Sequence, residues 1–477
     1  MSRFMTVADV KRGLPHAKLL GLSDSTFIER FISDSRQVRA GDCFIALQGE
    51  RHDAHAFLHE VMQQGALCAL ISDLAQRPDG FPVIQVDNTL QAIQQLAKAW
   101  VQACQQNQLK QTVAVVGSNG KTTVKGMIAH IFATAVGEKS LATVGNLNND
   151  IGLPLTLLRL NREHTHAVLE LGMNHPGETQ QLAAMAQANI ALINNAQREH
   201  QEFMQTIDAV AKEHALILDA LPNKGVAIFP ADSEYSEMWA QRAAGKTIMS
   251  FALHHDAIVR GDVISSDQTS QTLDITYRDT SQATQTHRVH LQVLGEHNAK
   301  NALAATAAAL AAGITWDAIQ QGLETFTPVQ GRMQVQQINP QTTLIDDTYN
   351  ANPDSVKAAI DVLAKLSMPA WLVLGDMGEV GDQGPAFHEE VGAYAAQEGV
   401  QKLFALGEQT KHSVMAFKKS SAQNTSAEHY PEVDALCAAL RESLGQRAAH
   451  EKTTVLVKGS RFMKMERVVK ALTEETH

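Results

Sequence analysis

Residues 117–123 read Gly117-Ser118-Asn119-Gly120-Lys121-Thr122-Thr123, and these types in this order suit the holding of nucleotide phosphates. Glycines let backbone N–H groups face phosphate oxygens, and a helix beginning at the lysine adds the positive end of its dipole. Lys121 would neutralise the β- and γ-phosphates, and the Thr122 hydroxyl would ligate Mg2+. The run is shorter than the full motif, which places a further glycine where this chain has Val115. Its setting is the required one, with an apolar stretch at 113–116 before it and a helical stretch at 123–136 after it. Such a loop says nucleotide but not reaction, since switches, motors, kinases and ligases all carry one.

Other residues extend the chemistry. Glu170 closes an apolar run at 167–171, and a carboxylate at the C-terminal edge of a parallel sheet faces the ligand crevice. It is a candidate Mg2+ ligand, and on its own more readily an ordinary strand-end acid. His200 follows a strand that ends near Asn194 and Asn195, and is either a ligand or a structural histidine. The loop at 145–152 is dense in amides: Asn146, Asn148 and Asn149 could hydrogen-bond a peptide or a sugar, or serve only as turn formers. There is no convincing Ser-His-Asp or Cys-His set, so no side-chain nucleophile is expected.

The elements that must position these residues alternate. Apolar runs at 113–116, 167–171, 190–193 and 226–229 alternate with helical stretches such as 207–221, which implies a parallel sheet. Period-two patterns at 273–277 and 289–293 predict antiparallel strands added to it, followed by an alanine-rich helix at 298–312. A further unit from about 326 alternates again, with strands at 343–346, 371–374, 403–406 and 455–457 and a helix at 353–366. It lacks G-x-G-x-x-G, so nothing supports NAD binding there. The opening segment mixes short strands, at 43–47 and 69–71, with helices. The expectation is an α/β protein of three domains. These are a small α/β N-terminal domain at 1–86, a central P-loop NTPase-like domain at 87–325 and a C-terminal Rossmann-like α/β domain at 326–477. The central sheet is expected to be mostly parallel with added antiparallel strands.

Bulk properties narrow the class. The 477 residues carry a net charge of -11, which argues against a nucleic-acid partner. The four cysteines form no C-x-x-C pair, so reduced thiols in a cytoplasmic protein are expected. No signal peptide is read at the start, and the longest apolar stretch, 302–314, is too short to span a bilayer.

Several motifs occur together in one order. They are 117–123, the strand bearing Glu170, Gly295-Glu296-His297-Asn298 with Asn301, and Pro328-Val329-Gln330-Gly331-Arg332. To these add 145–152, the run Asp-Asp-Thr-Tyr-Asn-Ala-Asn-Pro-Asp-Ser at 346–355, and the stretches 374–381 and 457–461. Near the start stand Ser33-Asp34-Ser35-Arg36 and Gly49-Glu50-Arg51-His52-Asp53. Over essentially its whole length the chain resembles the Mur ligases. Within them it is most similar to the branch that joins D-alanyl-D-alanine to UDP-N-acetylmuramoyl-tripeptide.

The resemblance implies an ATP- and Mg2+-dependent amide ligase of cytoplasmic peptidoglycan synthesis, working as a monomer through an acyl phosphate. It implies that Glu170 and His200 ligate a second Mg2+ and that Asn298 and Asn301 line the adenine pocket. Arg332 would reach the nucleotide phosphates, and Asp347 the ribose. Ser35 and Arg36 would meet the UDP end; Asn146, Asn148 and Asn149 the muramoyl peptide; Ser460 and Arg461 the dipeptide. Asn298 and Asn301 also read as helix caps, and Asp347 as a turn former.

The chain departs from the family in three places. Val116 stands where a threonine is usual, and Gln201-Glu202-Phe203 after His200 is unusual. Where many relatives carry a lysine that becomes carbamylated, counting arrives at His214, with Lys212 the nearest lysine. The competing readings are another amide ligase of the superfamily, adding a diamino acid or folding as a folylpolyglutamate synthase, and a P-loop switch or motor. The N-terminal segment disfavours the folate enzyme, and the run at 346–355 disfavours the diamino-acid enzyme.

Overall fold

The computed structural model describes residues 5–49, 52–278, 283–366, 369–421, 423, 425–448 and 450–474. Glu50 and Arg51 of the early motif lie outside the described residues.

The central sheet has nine strands. From one edge they run Ser140–Ala142, His166–Glu170, Gln111–Val116, Ile190–Ile193, Val226–Pro230, Thr247–Leu253 and Val259–Ser266, every neighbouring pair parallel. Gln271–Arg278 and Thr284–Leu291 continue it antiparallel. The strand Gln111–Val116 is apolar from Val113 onward because both its faces are covered there. Ala114 and Val116 enter one core with Leu96 and Trp100 of the helix Thr89–Gln105. Val113 and Val115 enter another, with Met127 and Ile131 of the helix Lys121–Val136 and the alanines of Glu296–Ala311. Small alanine side chains let those two helices lie close on the sheet.

A five-stranded sheet precedes it, ordered Lys18–Leu20, Val83–Gln85, Cys68–Ile71, Asp42–Ile45 and Arg30–Ile32. Cys43, Ile45, Leu70 and Ile84 share a core with the helix Thr89–Gln105, which thus joins this sheet to the central one. A six-stranded sheet follows, ordered Gln334–Asn339, Thr342–Asp347, Thr453–Lys458, Ala370–Gly375, Lys402–Leu406 and Ser426–Tyr430. It is parallel except at its first strand, which is an antiparallel edge.

The structure amends several expected boundaries. The stretch 207–221 is an α-helix only over Ile207–Ala215 and tightens to a 3-10 turn at Leu216–Ala220. The strands Thr247–Leu253, Gln334–Asn339 and Ser426–Tyr430 had no clear sequence signal. The last two are polar sheet edges, where alternation is not imposed by burial on both faces.

Candidate active site

Chain order reverses about Gln111–Val116: the chain passes to His166–Glu170 on one side and later to Ile190–Ile193 on the other. Such a switch point opens a crevice beyond the strand ends. Register brings the three ends level, with Glu170 beside Val115 and Ile193 beside Val116. The loop after Val116, the Glu170 carboxylate and the amides of Asn194 and Asn195 therefore meet. In the third sheet Asp347 is level with Lys458, and Lys458 with Leu374. Both sheets turn their C-terminal edges to one cavity of about 730 Å³, walled by Lys121, Thr122, Glu170, His200, Arg332, Asp347 and Lys458 among others.

The phosphate loop is held from behind. Gly120, at φ 78°, begins the helix Lys121–Val136, and no side chain caps its first N–H groups. Those donors are open to an anion. Asn194 Nδ2 and Asn195 Nδ2 donate to the Asn119 carbonyl at 2.8 and 2.9 Å, and Asn195 Oδ1 accepts from the Asn119 N–H at 2.9 Å. Lys121 Nζ is folded back on its own loop, donating to the carbonyls of Gly117 and Ser118 and lying 3.0 Å from Glu199 Oε2.

Glu170 is buried, with Thr122 Oγ1 donating to Oε1 at 3.1 Å and Asn148 Nδ2 at 2.9 Å. Its Oε2 is buried without a hydrogen bond, and Lys125 Nζ stands 4.0 Å away. Burial holds the Lys125 ammonium below the ordinary lysine range, against the pull of Glu170. A buried carboxylate oxygen left without a donor, beside a threonine hydroxyl at a phosphate loop, is a donor set that fits a hard divalent cation. Among the described residues no three His, Cys, Asp or Glu side chains form a metal cage.

The other expected residues separate into groups. Asn298 and Asn301 lie on the cavity wall but are tied into a buried amide chain: Asn298 Nδ2 donates to Leu294 O, Asn301 Nδ2 to Asn298 Oδ1, and Asn194 Nδ2 to Asn301 Oδ1. Asp347 accepts from the Met333 N–H at 3.1 Å and from Lys458 Nζ. Arg332 stacks its guanidinium 4.1 Å from the centre of the Tyr349 ring, and its buried Nε makes no hydrogen bond. Asn146 and Asn149 join Asn148 on the wall, as does Arg461, which also pairs with Glu466 at 3.0 Å. Ser460 is buried; it accepts from the Gly378 N–H at 2.7 Å and donates to Ala351 O at 3.0 Å, tying three loops together. Thr123 is on the wall and Gly117 behind it, where a Cβ would press on Asn194 at 2.9 Å. Ser35 and Arg36 are not on this wall; Ser35 is buried, and Arg36 is exposed and paired with Asp34 at 2.9 Å.

Of the two neighbours, one turns outward and the other lies behind the cavity wall. Lys212 points out, paired with Asp208 at 2.7 Å and 63% exposed. His214 is buried, its Nε2 2.8 Å from Glu199 Oε1. His200 stands in the left-handed region, with Nδ1 2.8 Å from Glu379 Oε2 of the third unit. Glu199 was not found from the sequence, where it reads as one acid in a loop. Burial alone would raise its carboxyl, but Lys121, His214 and His200 outweigh that and hold it down at about 2. Arg198 beside it reaches across to Asp354 and Glu390, at 2.5 and 2.7 Å.

The Mur ligase middle domain matches residues 115–309, and the Mur ligase glutamate ligase domain matches 331–461. Over 473 residues, 96% of each chain, the protein is 36% identical to the UDP-N-acetylmuramoyl-tripeptide–D-alanyl-D-alanine ligase of Haemophilus influenzae. It is 36% identical over 453 residues, 94% of each chain, to the Escherichia coli protein of the same name. The crystal structure of MurF from Acinetobacter baumannii superposes with a TM-score of 0.88 at 30% identity, covering 99% of this chain and 100% of that one. The chain belongs to the Mur ligase family, whose members are ATP-dependent ligases. Within it, these near-full-length relatives are the D-alanyl-D-alanine-adding ligases. No helix among the described residues is long and apolar enough to cross a membrane.

Proposed function

We propose that this chain joins D-alanyl-D-alanine to UDP-N-acetylmuramoyl-tripeptide at the expense of ATP, giving the pentapeptide, ADP and phosphate in the cytoplasm. One observation carries the reading: a phosphate loop with Lys121 and a buried carboxylate, Glu170, lines a cavity shared with a second sheet edge bearing Arg332, Asp347 and Arg461. A switch or motor needs the first half of that cavity; a ligase needs both. The 1–86 segment would hold the UDP-sugar through Ser35 and Arg36. Residues 87–325 would hold ATP, with Asn298 and Asn301 near the adenine and Asp347 near the ribose. Residues 326–477 would bind the dipeptide through Ser460 and Arg461, and the chain would act as a monomer.

In this reading the tripeptide carboxylate attacks the γ-phosphate in line, and the amine of the dipeptide then displaces phosphate from the acyl phosphate. The first step brings two anions together, so its barrier is electrostatic. Lys121 leaves its loop carbonyls and Glu199 to meet the β- and γ-phosphates, and the uncapped N–H groups of Lys121–Val136 receive them. Bound Mg2+, held by Thr122 and Glu170 with His200 beside them, would neutralise further charge on the γ-phosphate. Asn146, Asn148 and Asn149 would align the peptide. Arg332, with Nε unpaired, would close on the phosphates from the opposite wall and exclude water from the acyl phosphate.

The test is ADP release with Mg-ATP, the UDP-linked tripeptide and D-alanyl-D-alanine, with the product weighed by mass spectrometry. Release that requires both co-substrates and yields a pentapeptide supports the proposal. Release without either would replace it with a switch or motor. Lys121→Ala and Glu170→Ala are each expected to lose at least ~10³-fold in turnover while remaining folded; near-normal activity in either would overturn the phosphate and metal assignments.

A further inference from the structure

The steps above give Glu199 no role once Lys121 has left it. Its carboxylate is 5% exposed and lies on the wall of the nucleotide cavity. Lys121 Nζ stands 3.0 Å from one oxygen and His214 Nε2 2.8 Å from the other. The same Lys121 is the group that must turn to the phosphates. That movement removes the one permanent cation that touches this carboxylate among the described residues, and a buried carboxylate stripped of its counter-charge is strongly unfavourable. His214 lies against the remaining oxygen at 2.8 Å without an aligned hydrogen bond to it, and its imidazole is itself buried. A cation that takes the lysine's place keeps that carboxylate paired, and the one that enters with a nucleotide is divalent. On the same wall Glu170 Oε2 is buried without a hydrogen bond, with Lys125 Nζ near it only at 4.0 Å, which leaves a second carboxylate oxygen open to a cation. Mg2+ bound with phosphates takes one or two carboxylates and fills its other positions with phosphate and water, so no three-residue cage is needed.

We propose that Glu199 is an exchange carboxylate: it neutralises Lys121 while the loop is empty, and joins the ligand shell of the nucleotide's divalent cation when Lys121 moves to the phosphates. His214 is the positioning residue that aims it. This rests on the nucleotide reading of the cavity. It predicts that Mg2+ and Lys121 compete for one carboxylate, so the nucleotide supplies the cation that frees the lysine needed to bind it.

The experiment is calorimetric titration of ADP, with Mg2+ and with chelator, into the full-length protein and its Glu199→Gln, Glu199→Asp and His214→Gln variants. Wild type should bind ADP more tightly with Mg2+. Glu199→Gln should lose ~10–100-fold of that Mg2+ enhancement, yet bind metal-free ADP as well as wild type or better, because Lys121 is no longer restrained. Glu199→Asp should recover part of the enhancement, and His214→Gln should lose part. A purely structural Glu199 would weaken both titrations equally, and that result, or an unchanged Mg2+ dependence in folded Glu199→Gln, overturns the exchange. Wild type that binds no ADP overturns the nucleotide reading with it. Wild type that shows the Mg2+ effect but makes no pentapeptide leaves the exchange standing and overturns only the proposed substrates.

Discussion

Gly120 shows what single residues decide. It sits at φ 78°, and a Cβ there would lie 2.5 Å from Asn301 Oδ1 and 2.8 Å from Asn194 Nδ2. Both amides belong to the chain that holds the loop, so neither can retreat without breaking buried hydrogen bonds. Gly120→Ala should therefore cost roughly 1–3 kcal/mol in strain and clash. It should weaken ADP binding ~10-fold or more by calorimetry, because the loop is where the strain is relieved. Normal affinity would show that the loop is not held as described. The loop of Gly120, Lys121 and Thr122 before its helix was legible from sequence because its form depends on neighbours in the chain. Glu199, Asn194 and Lys458 were not, because each acquires its meaning from a partner far away in sequence: Lys121, Asn301 and Asp347. The sequence offers Asn298 and Asn301 as adenine contacts or as caps, but both lie inside the helix Glu296–Ala311, whose start carries no side-chain cap, and their amides brace the loop instead.

At the scale of elements, burial on both faces made most inner strands readable as apolar runs, Thr247–Leu253 excepted because its first four residues are exposed or only partly buried, and the two buried helices were found within a residue or two of their ends. Sheet edges escaped because nothing forces a pattern on a strand with one solvated side. Helix-to-helix distance was also invisible, and it has a sharp consequence. Gly384–Gln397 packs against Thr410–Ser420 so closely that a Cβ at Gly392 would lie 2.1 Å from the Ser413 carbonyl oxygen. Ser413 Oγ already donates to His388 O at 2.7 Å, which locks the register of the pair. Alanine is favoured over glycine inside a helix by about 1 kcal/mol, but the obstacle here is backbone, and overpacking of this kind costs ~1–3 kcal/mol or more. The clash wins. Gly392→Ala should lower the urea midpoint of unfolding, and a rise would mean that the two helices lie farther apart than described.

Across the whole molecule, the active cavity exists only while the central and third units stay together, and Arg198 is their principal clamp. Its guanidinium meets Asp354 at 2.5 Å and Glu390 at 2.7 Å and lies over the Phe387 ring, while Lys357 Nζ holds Glu390 from the other side at 2.6 Å. Asn352 adds a lighter contact, donating to Asn119 Oδ1 of the phosphate loop at 2.9 Å. The clamp is partly exposed, so solvent screening reduces it to about 1–2 kcal/mol. That is enough to shift an open–closed equilibrium about tenfold. Arg198→Ala should thus enlarge the radius of gyration of the free protein in solution scattering and raise KM more than it lowers kcat, since substrates can still draw the units together. Acid should do the same to wild type. Arg198 and Lys357 hold the Glu390 carboxyl down to about 2, from an ordinary 4.5. A carboxylate depressed in the closed state contributes its full share above about 4.5, and that share drains away as the pH falls towards 2. Scattering across that window should show wild type expanding, while Arg198→Ala, already open, changes little before it unfolds. Equal expansion in both proteins would place the acid-sensitive contact elsewhere.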